Sequence, residues 1–246
     1  VLNSHRYAAE DVDEYPGILA RRSYHVVVGN PPYITVKDPA LNAAYRQRFD
    51  TCHRQYALTV PFMELFFDLA IRGNGQTAGW VGQITSNSFM KREFGKKLIE
   101  DMLSGVDPLN PVDLLDVIDT SGAYIPGHGT PTVILIGRRQ RPARDTVHAA
   151  LGVRGEPGQP ADASRGLVWS EIVGHINDTD DYNGDYVTVT DLPRATLAHH
   201  PWSLSGGGAG GVKAHLDSAG TGRLRDRMVS SGRTTHTGAD EVYFAP

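Results

Sequence analysis

The stretch Val26-Val27-Val28-Gly29-Asn30-Pro31-Pro32-Tyr33 decides how this chain folds and where its chemistry lies. Three consecutive valines are typical of a strand that is buried on both faces, as in a parallel sheet. The glycine and the paired prolines end the strand, because proline cannot donate a hydrogen bond to a neighbouring strand. An amide and an aromatic ring therefore follow the carboxyl end of a buried strand, which is the edge where open α/β sheets bind ligands.

The residue types after this strand suit chemistry on an amine. The lone pair of an exocyclic amine such as adenine N6 is delocalised into the ring, so the amine is a poor nucleophile. Two acceptors aimed at its hydrogens, the side-chain oxygen of Asn30 and the carbonyl oxygen of Pro31, favour a pyramidal nitrogen with a free lone pair. Pro32 fixes the direction of that carbonyl, and Tyr33 can stack on a base rotated out of its duplex. The alternative is a surface turn after an apolar strand.

Alternating strands and helices along the chain predict an α/β fold with a doubly wound, mostly parallel sheet. A long loop with a short helix is expected at 34–55, and a loop or linker at 141–166, which is rich in Pro, Gly, Ala and Arg. The other expected elements are strands at 24–28, 80–84, 112–118, 132–137 and 186–189, an amphipathic helix at 60–72, helices at 10–22 and 90–104, and a helix-like basic stretch at 213–229.

Composition narrows the class of protein. The chain has 246 residues, 40% hydrophobic, which is enough for a sizeable core, and its one cysteine, Cys52, excludes an internal disulfide framework and fits the cytoplasm. No apolar run predicts a membrane span or a signal peptide. Cys52-His53 lacks partners for zinc and Asp178-Thr-Asp180-Asp181 has the wrong spacing for calcium, so no metal site is predicted. The net charge is −4, but Lys91-Arg92 belongs to a basic cluster that can contact phosphates or form a solvated helix face.

Three stretches carry a resemblance to a known family. They are Gly29–Lys37, Gln83–Lys97 and Asp119–Thr132, within about the first 140 residues. Val26–Tyr33 resembles the catalytic motif of amino-methyltransferases that use S-adenosylmethionine. The wider chain resembles the adenine-specific DNA methyltransferases of the phage growth limitation (BREX) defence systems.

The resemblance implies roles for particular residues. Asn30, Pro31, Pro32 and Tyr33 would be catalytic, and Tyr124 would stack on the face of the flipped adenine opposite Tyr33. Phe62 would line the adenine pocket of the cofactor, whose Gly-rich loop would lie upstream of this chain. Because the chain starts at Val1 and lacks that loop, we expect a fragment that is inactive by itself and binds S-adenosylmethionine weakly or not at all.

The expected organisation follows from the same comparison. Residues 1–140 would be the C-terminal half of a methyltransferase catalytic domain, 141–204 a linker and extension, and 205–246 a hinge and the start of a target-recognition region. That start would be Thr237–Phe244. The resemblance also implies that the strands at 112–118 and 132–137 pair antiparallel at one edge of the sheet. Double-stranded DNA would be the main partner, with other phage-defence proteins as further partners and no membrane.

Other functions share these residues. Release-factor glutamine methyltransferases carry the same four residues, because a side-chain amide nitrogen poses the same chemical problem. The long loop after the motif and the extension past residue 140 argue against them and, less firmly, against RNA methyltransferases. A non-catalytic DNA-binding piece is the alternative from a different class of protein.

Overall fold

The computed structural model describes residues 14–127, 129–222 and 224–229, and the chain divides into two compact units, Val1–Gly210 and Gly211–Pro246. The first unit contains a seven-stranded sheet in the order β1-β2-β4-β3-β5-β7-β6. The strands are β1 (Val26–Gly29), β2 (Trp80–Ser86), β3 (Asp113–Asp119), β4 (Thr132–Arg138), β5 (Thr146–Gly152), β6 (Tyr182–Asn183) and β7 (Val187–Pro193).

The sheet is mixed. β1 pairs in parallel with β2, and β3 pairs in parallel with β5, whereas the other four pairs are antiparallel. The strands β1, β2, β3 and β5 therefore all run in one direction, and their C-terminal ends share one edge of the sheet. The predicted α/β class is confirmed, as is the antiparallel pairing of β3 with β4. These two strands lie inside the sheet and not at its edge, because β5 continues it.

The described residues contain five α-helices. They are α1 (Pro39–Arg48), α2 (Thr59–Leu69), α3 (Leu167–His175), α4 (Arg194–Leu197) and α5 (Ala209–Ala219). The amphipathic helix predicted at 60–72 is confirmed as α2. α1 is the short helix expected within the long loop at 34–55, and it begins where the Asp38 carboxylate accepts hydrogen bonds from two backbone amides of its first turn.

Apolar side chains cover both faces of the sheet, as a doubly wound fold requires. On one face Val81, Val117 and Leu135 belong to a large core with α2 and the segment 94–103. On the other face Ile118, Ala150, Val187 and Val189 pack with Val168 and Ile172 of α3. None of the helices in the described ranges has the length and hydrophobicity that a bilayer span requires.

Two predicted helices differ in the structure. Residues 15–20 form turns and not the helix predicted over 10–22, because Pro16-Gly17 interrupts the backbone pattern; residues 10–13 lie outside the described residues. The helix predicted at 90–104 is a 3₁₀ turn at Glu93–Gly95 followed by a π-helical segment at Leu98–Leu103. Its expected inward side chains, Phe94, Leu98, Ile99 and Met102, are all buried.

Two strands also differ from expectation. The loop predicted at 141–166 contains β5, an interior strand whose neighbours β3 and β7 both hydrogen-bond to it. β1 was expected to be buried on both faces, but Val26 is 58% exposed and Val28 is 75% exposed. Within the described part of the chain β1 is the edge strand. Fewer neighbours therefore cover its valine side chains than cover those of an interior strand.

The described residues after the glycine run form two helical segments. α5 begins at Ala209, inside the predicted glycine hinge, directly after Gly207 and Gly208, which adopt positive φ angles of 62° and 83°. In the unit Gly211–Pro246 the helix continues to Ala219, and a 3₁₀ turn follows at Leu224–Arg227. The predicted start of a target-recognition region, Thr237–Phe244, lies outside the described residues, and the domain boundaries after residues 140 and 204 stay a prediction.

Candidate active site

Gly29 ends β1 where an aromatic ring of α2 crosses the strand. A Cβ atom at Gly29 would lie 2.5 Å from Cζ of Phe66 and 2.7 Å from its Cε2, so any larger residue would force the ring or the strand end to shift. In the parallel ladder Gly29 is paired with Gln83 of β2. Close packing above and pairing beside it therefore define the point at which the segment Asn30–Tyr33 leaves the sheet.

The start of α2 holds the backbone that follows. The hydroxyl of Thr59 donates to the carbonyl oxygen of Pro32 over 3.4 Å, and the amide of Leu58 donates to the carbonyl oxygen of Ile34 over 2.9 Å. Pro31 is buried, whereas Asn30 is exposed. These contacts anchor the motif from below and leave its amide side chain facing solvent.

Asn30 and Tyr33 contact each other directly. The Tyr33 hydroxyl donates a hydrogen bond to Oδ1 of Asn30 over 2.6 Å. Partial burial raises the pKa of Tyr33 above its ordinary value, so the hydroxyl keeps its proton and remains a donor. The bond orients the amide, and because a carbonyl oxygen has two lone pairs, Oδ1 can accept a second hydrogen bond.

A cleft of 410 Å³ opens beside Tyr33 at the C-terminal edge of the sheet. Its other walls come from the residues after β2 and from the loop between β3 and β4, namely Ser86, Asn87, Ser88, Lys91, Arg92, Thr130 and Pro131. The Asn87 amide donates to the carbonyl oxygen of Pro131 over 3.0 Å, which joins those two walls. Two cationic side chains, those of Lys91 and Arg92, line the cleft together with the predicted catalytic ring of Tyr33.

Tyr124 lies in the loop between β3 and β4, which also supplies Thr130 and Pro131 to the cleft. Its side chain is half-buried, so it is not part of the core. A hydrogen bond of 2.7 Å between the hydroxyls of Thr120 and Thr132 closes the base of this loop. The stacking of a base between Tyr33 and Tyr124 stays a prediction.

Phe62 lies one helical turn before Phe66 on the same face of α2. The two rings meet edge to face, with centroids 6.1 Å apart and planes at 90°. Phe62 is half-buried, so part of its ring is exposed. A half-buried aromatic surface suits a purine ring, and the cofactor-binding role of Phe62 stays a prediction.

The structure draws attention to Gln83 of β2, a residue that the sequence analysis missed. Both amide atoms of Gln83 are buried without a hydrogen-bond partner among the described residues, and so is the Thr85 hydroxyl two positions later. An uncharged amide in the middle of an apolar strand was the available signal. Such groups are costly to bury unpaired, and these two lie on the strand that flanks the motif.

A larger cavity, of 600 Å³, lies at the opposite edge of the sheet. It is lined where β3 and β5 begin, and one hydrogen-bonded pair of side chains crosses its wall. Nδ1 of His148 is 2.8 Å from Oδ1 of Asp191, and Nε2 of His148 is 2.8 Å from the carbonyl oxygen of Ile176. These interactions connect β5, β7 and the end of α3, and they are structural.

Comparison of the sequence with known proteins gives consistent matches. Residues 3–115 match the family described as Eco57I restriction-modification methylase. Over 99% of its length the chain is 51% identical to "Adenine-specific methyltransferase PglX" of Streptomyces coelicolor. Over 49% of its length it is 30% identical to "Type II methyltransferase M.XhoI" of Xanthomonas vasicola. The chain spans about one fifth of each relative, 20% and 21% respectively.

Solved structures resemble the fold more distantly. A modification subunit of a putative type I restriction enzyme from Vibrio vulnificus aligns over 69% of this chain and 34% of its own, with a TM-score of 0.48 and 13% identity. The type IIG restriction endonuclease BpuSI aligns over 89% of this chain and 26% of its own, with a TM-score of 0.49 and 15% identity. The sequence matches therefore decide the relationship: the chain is related to the Eco57I restriction-modification methylases and to an adenine-specific methyltransferase, as its motifs predict.

Proposed function

We propose that the complete protein transfers a methyl group from S-adenosylmethionine to N6 of an adenine flipped out of double-stranded DNA. The observation that carries the proposal is the contact between Asn30 and Tyr33, at the C-terminal end of β1 and beside a cleft that Lys91 and Arg92 also line. The match to restriction-modification methylases and the similarity to a protein named as an adenine-specific methyltransferase support this reaction class.

In this reaction the residues of the motif hold the adenine N6 in one orientation. Oδ1 of Asn30 accepts one hydrogen from the Tyr33 hydroxyl and, through its second lone pair, one from N6. The Pro31 carbonyl accepts the other N6 hydrogen, and the anchored Pro32 keeps that carbonyl in place. Such positioning needs no strong general base.

The cofactor and the base would approach this motif from different sides. S-adenosylmethionine, when bound, supplies the electrophilic methyl group, and Phe62 would contact its adenine ring. Tyr33 and Tyr124 would stack on the flipped base, replacing the stacking that it loses on leaving the duplex.

The biological setting follows from the same relatives. Because this chain is 51% identical to PglX over 99% of its length, we expect the complete protein to mark the DNA of its own cell in a phage-defence system, in the cytoplasm and together with other defence proteins. The lysine and arginine in the cleft, Lys91 and Arg92, fit a DNA substrate better than a protein glutamine substrate.

Replacing Asn30 tests the proposal. In the complete protein, Asn30→Ala should lower the methylation rate by roughly a hundredfold or more, because one of the two groups that orient N6 is lost. Binding of S-adenosylmethionine, measured by calorimetry, should stay the same. Asn177→Ala, at an exposed asparagine by the opposite edge of the sheet, is the matched control. Undiminished transfer of labelled methyl groups by the Asn30 variant would refute the mechanism.

A further inference from the structure

A second cavity, of 350 Å³, adjoins the cleft that contains Tyr33. Asn87 and Lys91 belong to the walls of both, so the two form one continuous groove, which we call the edge groove. Each volume falls in the range of roughly 300 to 1,000 Å³ that is usual for pockets that bind small molecules. The edge groove therefore continues well past the space that a single flipped base would fill.

The far wall of the edge groove comes from the chain after residue 140. The loop that follows β5 supplies Gly152–Gly155, and Leu204 and Ser205 complete the wall. This loop is fastened to the loop that carries Tyr124, because the amide of Glu156 donates to the carbonyl oxygen of Gly122 over 2.8 Å. A Cβ atom at Gly122 would lie 3.1 Å from the carbonyl oxygen of Arg154, so the two loops pack closely.

The accessible charges of the edge groove are positive. Lys91, at the junction of the two cavities, and Arg92 are exposed, and neither makes an ion pair with another residue in the described ranges. The Arg154 guanidinium is held by the carbonyl oxygen and the carboxylate of Asp185, at 2.8 and 3.0 Å. Asp119, the acidic wall residue, is 8% exposed, and its Oδ1 accepts a hydrogen bond from the Ser121 amide.

We propose that the edge groove binds the sugar-phosphate backbone of the DNA strand that carries the flipped adenine. Lys91 contacts the phosphate next to the flipped nucleotide, and Arg154 contacts a phosphate further along the strand. The proposal rests on the proposed function and adds to it: the extension after residue 140 is a DNA-binding wall as well as a support for the fold.

The salt dependence of DNA binding tests this assignment in the complete protein. The probe is a fluorescein-labelled DNA duplex of mixed sequence, and its affinity is measured by anisotropy over a series of salt concentrations. Lys91→Ala and Arg154→Ala should each reduce the slope of log affinity against log salt by about 1, and the double variant by about 2. Lys91→Arg should restore the slope, because it restores the charge.

Two control variants remove the same charges outside the edge groove. The controls are Lys96→Ala and Arg165→Ala. Lys96 is five positions after Lys91, and its exposed side chain lies near the Glu100 carboxylate. Arg165 belongs to the same extension as Arg154, and its exposed side chain lies near the Asp162 carboxylate. Their slopes should equal that of the unmodified protein. If the Lys91 and Arg154 variants also keep the full slope, or if the unmodified protein binds no duplex, the edge groove is not the DNA site. A protein that binds the duplex but methylates nothing would refute the proposed reaction, while the slopes would still decide the DNA site.

Discussion

β1 and β5 run in the same direction and both end in glycine at the edge where the candidate active site lies, yet they are packed very differently. Val28 of β1 is 75% exposed, and β2 is the one described strand that pairs with β1. β5 lies between β3 and β7, and its Ala149 and Ala150 are completely buried. The strand that leads into the segment Asn30–Tyr33 therefore contributes little to the core, whereas a strand of the extension is central to it.

The extension and the segment Asn30–Tyr33 should therefore affect different properties of the protein. The segment Asn30–Tyr33 is held by Phe66 and Thr59 of α2 and not by burial of its own strand. The extension is held by the sheet and by buried polar pairs. Substitutions in the extension should therefore change the free energy of unfolding, and substitutions at the motif should change the reaction.

The largest expected change in stability comes from breaking a buried ion pair that involves the extension. Nη2 of Arg194 donates to Oδ1 of Asp113 over 2.8 Å and to the carbonyl oxygen of Leu114 over 3.0 Å, and Asp113 is completely buried. Arg194→Ala should lower the free energy of unfolding by about 3–5 kcal/mol, because it leaves the carboxylate buried without its counter-charge. Urea unfolding of the 246-residue chain measures this.

The surface pair of Arg165 and Asp162 provides the comparison, since Arg165→Ala should leave the urea midpoint unchanged. Equal midpoints for the two arginine variants would show that the Asp113 pair contributes no more than a surface contact.

The next effect compares the two strands directly. Leu151 of β5 is 7% exposed, and Leu151→Ala should cost about 2–5 kcal/mol because it removes buried methyl groups and leaves a cavity. Val28→Ala on β1 should change the stability of the same chain by less than about 0.5 kcal/mol, because the valine side chain already faces solvent. Thermal and urea unfolding should rank the variants in this order. A larger loss from Val28→Ala would mean that β1 is covered in solution.

A smaller effect is expected at the motif itself. Tyr33→Phe keeps the ring but removes the hydrogen bond to Asn30, so kcat of the complete protein should fall roughly fivefold, equivalent to about 1 kcal/mol. Tyr33→Ala should lower kcat further, because it also removes the stacking surface.

The stability of both Tyr33 variants should match that of the unmodified protein. The control is Tyr15→Phe, at an exposed tyrosine outside the segment Asn30–Tyr33, and its activity should also match. A Tyr33→Phe enzyme with full kcat would show that the hydroxyl plays no part in orienting Asn30.

The smallest effect depends on pH and concerns two aspartates on either side of His148. The hydrogen bond from His148 lowers the pKa of Asp191, so Asp191 stabilises the fold above its unfolded-state pKa, and this is lost as the pH falls through the folded-state value. Burial raises the pKa of Asp116, so its ionisation opposes folding as the pH rises through the unfolded-state value.

At neutral pH, Asp191→Asn should therefore destabilise the chain and Asp116→Asn should stabilise it, each by about 1 kcal/mol or less because both sites are partly solvated. Both differences should shrink in acid, below the pKa values of the two carboxyls. Unfolding curves at neutral and acidic pH measure this, and shifts of the same sign for the two variants would contradict it.

Much of the sheet could be predicted from local pattern. β2, β3, β4 and α2 have clear periods in their apolar residues and turn signals at their ends, and all four were placed correctly. The position of Asn30–Tyr33 directly after a strand also follows from local chemistry, because Gly29 and the prolines end that strand. The roles of these residues stay a prediction.

Long-range contacts determine the rest. The run Thr146–Gly152 has small residues and a histidine in a region rich in proline and glycine, and it becomes a strand because β3 and β7 pair with it. The three valines of β1 have high strand propensity, but propensity does not say how many neighbours a strand has. Arg154 could not be connected to the cleft from sequence, because its place depends on Asp185 and Gly122, both about 30 positions away.

Glu156 has a consequence for the motions of the molecule. Its amide is bonded to Gly122 in the loop that carries Tyr124, and its carboxylate accepts hydrogen bonds from the amides of Leu167 and Val168 at the start of α3. Opening of that loop therefore disturbs the first turn of a helix on the far side of the sheet. In hydrogen exchange these amides should behave as one cooperative unit, so that fluctuations of the loop that carries Tyr124 have the timescale of α3 fraying and not that of a free surface loop.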